Sequence, residues 1–568
     1  MEDRDKTTST ENMLQTDVLI AGGGPCGLML ANELGRRGVR CLLVDPKGGT
    51  TLTPQANATQ ARTMEHYRRL GIAQEIRAQG LPPDHPTDIA YFTRYTRHEL
   101  ARLPLPTAAQ AVQKVRNMGG SWSAAELPHR VSQKYIEAVL RKHAESWTDA
   151  ELRYGWALES FDDHGSHVLA QIRQNGAASA LAVKARYLVG VDGPRSLVRN
   201  RLGIAWTGAS SIKREFMGGK MFAVHFRAPA FYEVLKSPPA WMYVSVNPQR
   251  RAFMASVDGN SEFAFHAAIH EDEDADAWTF DDAERIFSEA LGTQIPMEVL
   301  SVCTWTAGHS LVAQNMQRGR VFIGGDAAHL FTPTGGLGYN TAIEDAVNLG
   351  WKLATVLHGS APEALLDSYE LERKPLAERN TAYARGFADS VGMFSALPLL
   401  EQNDDAGEAE RARASEYLNA HVRREFNIPG ITFGGRYDSS PLIVKDGSTP
   451  PPDAAGSYEP TASPGGRAPH AWLADGTSLY DSFGFEWTLL ALGPNAPDAQ
   501  PFIDAAAALG LTLKHVPQAS ALLRDLYEAP LALIRPDQIV AWRGHHAGDA
   551  MRVLMQASGH GAAAARAL

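Results

Sequence analysis

The sequence predicts a protein of mixed α/β and α+β class, with a doubly wound parallel sheet, an interleaved antiparallel sheet and a small C-terminal α/β domain. Three observations predict it: a glycine-rich turn between an apolar strand and a helix near the N-terminus, two later apolar strands that each run into glycine and aspartate, and a middle region of alternating polar and apolar residues. With 568 residues the chain is too long for one hydrophobic core, so two or three domains are expected.

The composition excludes several classes of protein. Hydrophobic residues make up 44% and charged residues 21%, which is ordinary for a soluble globular protein. A net charge of −10 with scattered Arg and Lys predicts no nucleic-acid partner. Three cysteines without a CxxC pair or a His/Cys cluster predict a reducing compartment and no metal site. The N-terminus lacks an apolar signal sequence and no apolar run approaches the roughly 18 to 20 residues that span a bilayer, so we expect a cytoplasmic protein with no membrane partner.

The N-terminal region has the pattern of a βαβ unit. The apolar run DVLIA at residues 17–21 predicts a buried strand, LMLANELGRRG has apolar residues at helical spacing, and RCLLV at residues 40–44 predicts a second strand. Before the helix, Gly22, Gly24 and Gly27 form GxGxxG, which allows a tight turn, close approach of a pyrophosphate and close packing of the helix on the strand. The N–H groups that begin the helix then face the phosphates.

Further acids and glycines follow predicted strands. Asp45 ends the second strand, where a carboxylate can accept a hydrogen bond from a ribose hydroxyl. The strand YLVGV runs into Asp192 and Gly193, and the strand RVFI runs into a Gly-Gly pair and Asp326. The glycine run at residues 335–338 opens a helix whose N–H groups can face a phosphate or an electron-rich ring. The alternative interpretation of each of these segments is a turn that holds no ligand. Taken together, the segments favour a nucleotide-binding site.

The rest of the chain divides into four regions. The alternation between about residues 200 and 310 predicts an antiparallel sheet with one covered face. Residues from 340 to about 400 have a long helical pattern, and residues 430–468 are rich in Pro, Gly and Ser, which predicts a linker. A small α/β segment follows, with strands near Trp487–Leu492 and Leu531–Ile534.

In this order, the motifs GGGPCG, DGPRSLVR and GDAAHLFTPTGGLGYNTAIEDAVNLGWKL resemble those of the single-component FAD-dependent aromatic hydroxylases, the family of p-hydroxybenzoate and phenol hydroxylases. ARTMEHYRRLG at residues 61–71 and SQKYIEAVL at residues 132–140 strengthen the resemblance, which covers about residues 15 to 400. The segments SLYDSFGFEWTLL and LALIRPDQIVAWRG resemble the thioredoxin-like C-terminal domain of the phenol hydroxylase branch. That segment has no CxxC pair, so a packing or dimerisation role is implied in place of dithiol chemistry.

The resemblance implies a Rossmann-like FAD-binding domain interleaved with a substrate-binding sheet domain. The implied boundaries are 15–200 and 310–400 for the discontinuous FAD-binding domain, 85–120 and 200–310 for the antiparallel-sheet substrate domain, 400–465 for a helix and linker, and 466–568 for the thioredoxin-like domain.

The resemblance also implies which residues contact FAD. The first glycines would hold the pyrophosphate, Asp45 the adenosine ribose and Asp326 the ribityl chain, while Asp192 would serve both FAD and the nicotinamide cofactor. The implied cofactor-binding residues are Gly22, Gly24, Pro25, Gly27, Asp45, Lys47, Arg62, Gln133, Asp192, Gly193, Gly325, Asp326, Pro333, Gly336, Gly338, Tyr339 and Asn340.

The implied reaction is hydroxylation of an aromatic, phenolic substrate by O2. NADPH or NADH, bound transiently, would reduce FAD, and a flavin C4a-hydroperoxide would transfer its distal oxygen to the ring in a pocket without water. The partners are then a small aromatic substrate and O2, and analogy suggests a homodimer. Alternatives on the same scaffold are an epoxidase, an oxidase or a polyketide- or antibiotic-modifying hydroxylase. The WxWxIP segment of flavin halogenases is absent from the sequence.

One segment departs from the family pattern. At TPQAN, residues 53–57, Gln55 replaces an arginine and Asn57 replaces the His or Asp that acts as phenol base in some relatives. Asn57 can hydrogen-bond a phenolate but cannot take its proton. Either the substrate is already acidic or another residue deprotonates it, with His309 and Tyr339 as candidates.

The Met and aromatic residues of the middle region are candidates for the lining of a pocket for an aromatic guest, although sheet packing explains each of them as well. They are Met217, Met221, Phe222, Trp241, Phe253 and Met254.

Overall fold

The computed structural model describes residues 13–210, 212, 214, 216–274 and 278–561. Its strands are β1 (Leu14–Ala21), β2 (Cys41–Asp45), β3 (Ala58–Thr59), β4 (Ile89–Phe92), β5 (Glu99–Leu103), β6 (His129–Arg130), β7 (Ala150–Tyr154), β8 (Trp156–Asp163), β9 (Val168–Gln174), β10 (Leu181–Gly190), β11 (Trp206–Ala209), β12 (Lys220–Arg227), β13 (Met242–Val246), β14 (Arg251–Ser256), β15 (Glu262–Ala268), β16 (Glu298–Thr306), β17 (Ser310–Ala313), β18 (Gln317–Arg318), β19 (Val321–Ile323), β20 (His329–Leu330), β21 (Trp487–Leu492), β22 (Leu513–Gln518), β23 (Leu531–Ile534) and β24 (Val540–Gly544).

The α-helices are α1 (Pro25–Gly35), α2 (Ala61–Leu70), α3 (Ala73–Arg77), α4 (Ala108–Lys114), α5 (Gln133–Ala144), α6 (Leu197–Arg201), α7 (Phe231–Val234), α8 (Phe280–Leu291), α9 (Leu337–Leu357), α10 (Ser368–Gly392), α11 (Asp405–Phe426), α12 (Pro429–Phe433), α13 (Gln500–Ala508), α14 (Ala521–Tyr527) and α15 (Ala550–Ala557). In this described part of the chain, no helix is long and apolar enough to cross a membrane.

The first sheet has the strand order β18-β19-β10-β1-β2-β7, with β9 and β8 added beside β10. The pairs β19–β10, β10–β1, β1–β2 and β2–β7 are parallel. Helices cover this sheet, so the apolar run of β2 is buried along its whole length. The predicted doubly wound sheet is therefore confirmed, and it brings the ends of β1, β10 and β19 to one edge.

The second sheet, called here the substrate sheet, has the order β16-β12-β15-β14-β13-β4-β5. Strands β12 to β16 pair antiparallel as predicted for residues 200–310, whereas β4, from an earlier part of the chain, pairs parallel with β13. One expectation for this sheet was wrong. Both faces are covered: α8 packs on one face, and α10 and α11 pack on the other. Alternation along a strand shows only that its two faces carry different residues. Whether a helix packs on the second face is determined only in the folded chain.

The C-terminal sheet has the order β22-β21-β23-β24, with β21 and β22 parallel and β23 antiparallel to β21. The predicted strands at β21 and β23 have the expected bounds. In the preceding linker, residues 430–433 belong to α12 and the remainder forms no named helix or strand, yet it is buried at Tyr437 and at residues 442–444. A buried ion-pair cluster joins this domain to α10, because both oxygens of Glu372 accept hydrogen bonds from Arg535 at 2.7 and 2.8 Å.

Candidate active site

The three predicted turns contact one another at the edge of the first sheet. A Cβ atom on Gly22 would collide with the carbonyl oxygen of Val191, next to the Asp-Gly turn. The backbone N–H of Gly324 donates to Gly190 at 3.1 Å, and the Cys26 thiol donates to the carbonyl of Ala342 in α9 at 3.1 Å. The strands and turns that lie far apart in the sequence therefore form one site.

The first turn leaves room for a phosphate. A Cβ atom on Gly27 would collide with the carbonyl oxygen of Gly22, which explains the third glycine as a packing requirement. By contrast, a Cβ atom on Gly24 would have no described atom within 4 Å. Gly24 is the N-cap of α1, Pro25 follows it, and none of the described side chains caps the helix. The free N–H groups and the open space together fit a pyrophosphate.

Asp45 is held in place by the backbone. Its carboxylate accepts hydrogen bonds from the N–H of Gly23 at 2.7 Å and of Lys47 at 2.8 Å, and only 7% of the residue is exposed. Each oxygen keeps a further lone pair for a ribose hydroxyl. The Lys47 side chain is exposed at the edge of this turn.

The Asp-Gly turn after β10 presents an unused acceptor. One oxygen of Asp192 accepts the N–H of Val198 at 3.1 Å, while its other oxygen is buried and has no partner in the described chain. Gly193 follows with φ of 80°, a conformation that favours glycine. A buried acceptor without a donor is costly, so this oxygen fits a hydroxyl of a bound ligand.

The turn after β19 places Asp326 in the cleft. Its side chain is exposed there, yet the surrounding protein removes enough water to raise its pKa, against the opposing effect of His329. Gly325 has φ of 55° and allows the chain to turn directly after the strand. The carboxylate is therefore available for hydroxyl groups of a cofactor chain.

A buried ion-pair cluster behind this turn was not predicted from the sequence. Asp345 accepts hydrogen bonds from the N–H of Gly325 at 3.0 Å, from His329 at 2.6 Å and from Arg373 at 2.8 Å. Burial would raise the pKa of Asp345, but His329 and Arg373 together lower it. The two acids of the helix segment TAIEDAVNLG, Glu344 and Asp345, were the available signal, because an acid that is buried needs a partner.

The glycine run begins α9 as predicted. Gly335 and Gly336 have φ of 63° and 64°, and no described side chain caps the helix at Gly336. The carbonyl of Gly335 accepts the Gln60 side chain at 2.8 Å, and Asn340 accepts the N–H of Gln60 at 2.8 Å. This helix N-terminus, flanked by exposed Pro333 and half-buried Gly338, fits the electron-rich edge of a flavin ring.

Two predicted cofactor residues on helices have different surroundings. Gln133, the first residue of α5, donates to Glu137 at 2.7 Å, and its N–H donates to Ala56 at 2.7 Å beside the departing TPQAN segment. The guanidinium of Arg62 reaches the C-terminal domain, where it donates to Gln538 at 2.7 Å and to the carbonyl of Asp537 at 2.6 Å, and its contact with FAD stays a prediction. Its pair with Glu65 is buried, because the C-terminal domain covers α2.

The candidate phenol-deprotonating groups differ in character. Asn57 and His309 are half-buried, and each has a buried atom, Oδ1 and Nδ1, without a partner among the described residues. The carbonyl of His309 accepts the hydroxyl of Thr332 at 3.0 Å, which places this histidine beside the glycine loop. The hydroxyl of Tyr339 contacts that of Tyr67, and burial raises the pKa of Tyr339, so it is a neutral group at physiological pH.

The substrate sheet turns one of its two faces toward the site. On this face lie Met217, Met221, Trp241 and Phe253, together with Ala58 of β3. Phe222 and Met254 correct the prediction, because both point to the opposite face and pack against α8. Successive residues of a strand point to opposite faces, so Met221 and Phe222 cannot line the same pocket.

His266 lies on the same face, and its burial predicts that the stability of the protein depends on pH. It accepts a hydrogen bond from the Trp305 indole at 3.2 Å and stacks on Phe253 with the ring centroids 4.5 Å apart. Burial lowers the pKa of His266 from 6.5 to about 4. The unfolded chain therefore binds more protons than the folded chain between these values, so stability is lost as the pH falls through this range.

We expect the wild-type protein to lose about 2 kcal/mol of unfolding free energy between pH 7.5 and pH 5 through this residue, and His266→Gln to lack that part of the loss. Denaturant unfolding of both FAD-bound proteins at the two pH values measures the difference. Parallel curves for wild type and variant would contradict the assignment to His266.

Two family models match the chain. The model described as FAD binding domain matches residues 15–384, and the model described as aromatic-ring hydroxylase, C-terminal, matches residues 461–563. The chain belongs to the FAD-dependent aromatic-ring hydroxylases. FAD is thus the cofactor of this hydroxylase, in agreement with the open space at Gly24 and the unpaired oxygen of Asp192.

Relatives and solved structures extend over nearly the whole hydroxylase. It is 30% identical to the FAD-dependent monooxygenase apdD of Emericella nidulans over 98% of this chain and 92% of that protein. It is 29% identical to phenol 2-monooxygenase of a Pseudomonas species over 94% and 91% of the two chains. RebC with bound 7-carboxy-K252c is 34% identical, has a TM-score of 0.85 and matches over 96% of this chain and 99% of its own. The hydroxylase is an FAD-dependent aromatic monooxygenase.

Proposed function

We propose that this enzyme hydroxylates a phenolic aromatic compound between the N-terminus of α9 and the apolar face of the substrate sheet, with NADPH or NADH and O2 as co-substrates. The observation that carries the proposal is the contact among the three turns, which brings their glycines and acids into one site. Ala58, which lies beside Gly336, belongs to the same apolar cluster as Trp241 and Phe253. An apolar wall with a few polar groups is the composition of a site for a small aromatic molecule.

Each turn has a separate task in this proposal. The N–H groups at Gly24 hold the pyrophosphate, Asp45 and Asp326 accept hydroxyl groups of the cofactor chain, and the N-terminus of α9 stabilises negative charge on the ring. When bound, FAD supplies the electron transfer and the activation of O2. The substrate sheet excludes water, and Asn57 offers a hydrogen-bonding group to the substrate oxygen.

A larger polycyclic or polyketide substrate is the second candidate. It is favoured by the likeness to RebC, whose structure contains 7-carboxy-K252c, whereas the likeness to phenol 2-monooxygenase favours a single ring. Both candidates share an electron-rich ring with a hydroxyl group, which is the requirement of the proposed oxygen transfer.

Anaerobic stopped-flow reduction of the FAD-bound enzyme tests the function. One-ring phenols and hydroxylated polycyclic aromatics are each mixed with NADPH and with NADH, and flavin absorbance is followed. We expect at least one aromatic compound to accelerate reduction about tenfold or more, because substrate binding orders the site before hydride transfer. In air, that compound should then gain one oxygen atom from labelled O2. Reduction that is indifferent to every aromatic, with only hydrogen peroxide formed, would contradict the proposal.

Several further expectations stay proposals. We infer that the domains have the boundaries given in the sequence analysis. We also infer that the C-terminal domain is thioredoxin-like, and the strand order of β21 to β24 supports this second inference. The homodimer and the cytoplasmic location stay predictions as well. Light scattering of the purified protein measures the first, and fractionation of cells measures the second.

A further inference from the structure

Arg130 is a buried cation without a counter-charge. Only 6% of the residue is exposed, and its guanidinium makes no hydrogen bond or ion pair with the described residues. Burial lowers the pKa of Arg130 to about 10, so the group stays charged at neutral pH. The equally buried Arg373 and Arg535, by comparison, each pair with carboxylates at 2.6 to 2.9 Å. An unpaired buried charge destabilises a fold, so its presence calls for a ligand.

The position of Arg130 relates it to the substrate side of the site. In the two-stranded ladder of β3 and β6, Arg130 is opposite Ala58, so both side chains leave the same face. Ala58 contacts the glycine loop: a Cβ atom on Gly336 would lie 3.0 Å from the Cβ of Ala58, and Asn340 donates to the Ala58 carbonyl at 2.9 Å. The side chain of Arg130 therefore begins beside the loop that receives the flavin ring.

The far end of the side chain reaches the substrate sheet. The guanidinium carbon of Arg130 lies 4.4 Å from the ring centroid of Trp241, which belongs to the apolar face turned toward the site. Stacking on an aromatic ring fixes the plane of the guanidinium and leaves its edge N–H groups for an anion. Arg130 thus connects the two walls between which an aromatic substrate would lie.

We propose that Arg130 binds an oxyanion carried by the aromatic substrate, either a carboxylate or a hydroxyl group bound as its phenolate. The proposal rests on the proposed function and narrows its substrate class to acidic aromatics. It also accounts for Asn57 in the place of a base, because a cation that favours the phenolate makes a proton-accepting side chain unnecessary at this position.

Binding to the oxidised, FAD-bound enzyme tests the proposal through flavin difference spectra. The probes are two matched pairs, 2-naphthoate with 2-naphthamide and 4-nitrophenol with 4-nitroanisole, and the proteins are wild type, Arg130→Met and Arg130→Lys. We expect wild type to prefer the charged member of at least one pair by about tenfold or more, Arg130→Lys to keep part of that preference, and Arg130→Met to lose it. The naphthoate pair reports a carboxylate site, and a nitrophenolate band at a pH well below the free phenol's pKa reports a phenolate site.

A second measurement separates a binding role from a structural one. The FAD-bound Arg130→Met protein should have a Tm equal to or above that of wild type, because the substitution removes an uncompensated charge. Any of three results would overturn the proposal. Wild type binds charged and neutral probes equally, it binds no charged probe, or Arg130→Met has a clearly lower Tm than wild type. These binding and stability measurements use oxidised enzyme, so their outcome does not depend on the hydroxylation test. Failure of the hydroxylation test would contradict the proposed function and not the anion-binding role of Arg130.

Discussion

Asp345→Asn is expected to lower the free energy of unfolding by about 3–5 kcal/mol, the cost of leaving a buried ion pair with one partner. Asp345 is 1% exposed, and its carboxylate is the common acceptor for Gly325, His329 and Arg373. Asparagine has nearly the same shape but no charge, so Arg373 loses a buried counter-ion. The turn that presents Asp326 also loses part of its support, and we expect FAD to bind about tenfold more weakly to the folded variant.

The neighbouring Glu344 provides a matched control for Asp345. It pairs with the same Arg373 at 2.9 Å, but its side chain is 26% exposed, and the N–H of Gly325 donates to Asp345 and not to Glu344. Glu344→Gln should therefore cost about 1 kcal/mol or less, with FAD affinity unchanged. Denaturant unfolding and FAD titration of the apoproteins measure both quantities. A stable Asp345→Asn protein with the FAD affinity of wild type would show that the cluster does not support the turn.

Gly24→Ala is expected to weaken FAD binding about 100-fold while leaving the FAD-free protein about as stable as wild type. A Cβ atom at Gly24 meets open space within the described chain, so the fold can accept it. The same methyl group occupies the space through which a pyrophosphate approaches the N–H groups of α1. The loss of these charge-assisted hydrogen bonds appears only when the cofactor is present.

Gly27→Ala is the matched comparison, since the added atom is the same and the turn is the same. Its Cβ atom collides with the carbonyl oxygen of Gly22, so helix and strand must separate even without FAD. We expect the Tm of the FAD-free Gly27→Ala protein to fall, whereas that of Gly24→Ala should not. Differential scanning calorimetry of the apoproteins and fluorescence titration with FAD distinguish the two effects. Equal destabilisation by both substitutions would mean that Gly24 is also a packing position.

Local sequence patterns were sufficient to predict the three turns that meet at the edge of the first sheet. Glycines that must adopt positive φ, such as Gly22 and Gly336, and acids that directly follow buried strands leave a signal within a few residues. The same holds for the doubly wound sheet, because buried parallel strands are continuous apolar runs. The family resemblance supplied the cofactor and the reaction, and both agree with the matched family models.

Where the role of a side chain depends on a partner that is distant in the sequence, only the tertiary structure determines that role. Three contacts join segments that lie far apart in the chain. Arg62 donates to the C-terminal domain, α8 covers the second face of the substrate sheet, and Asp345 accepts the N–H of Gly325. Arg130 is the clearest case, since an arginine in a sequence gives no sign of whether a carboxylate will face it. Charge and burial become informative only in combination, because the cost of a buried charge depends on what the folded chain places beside it.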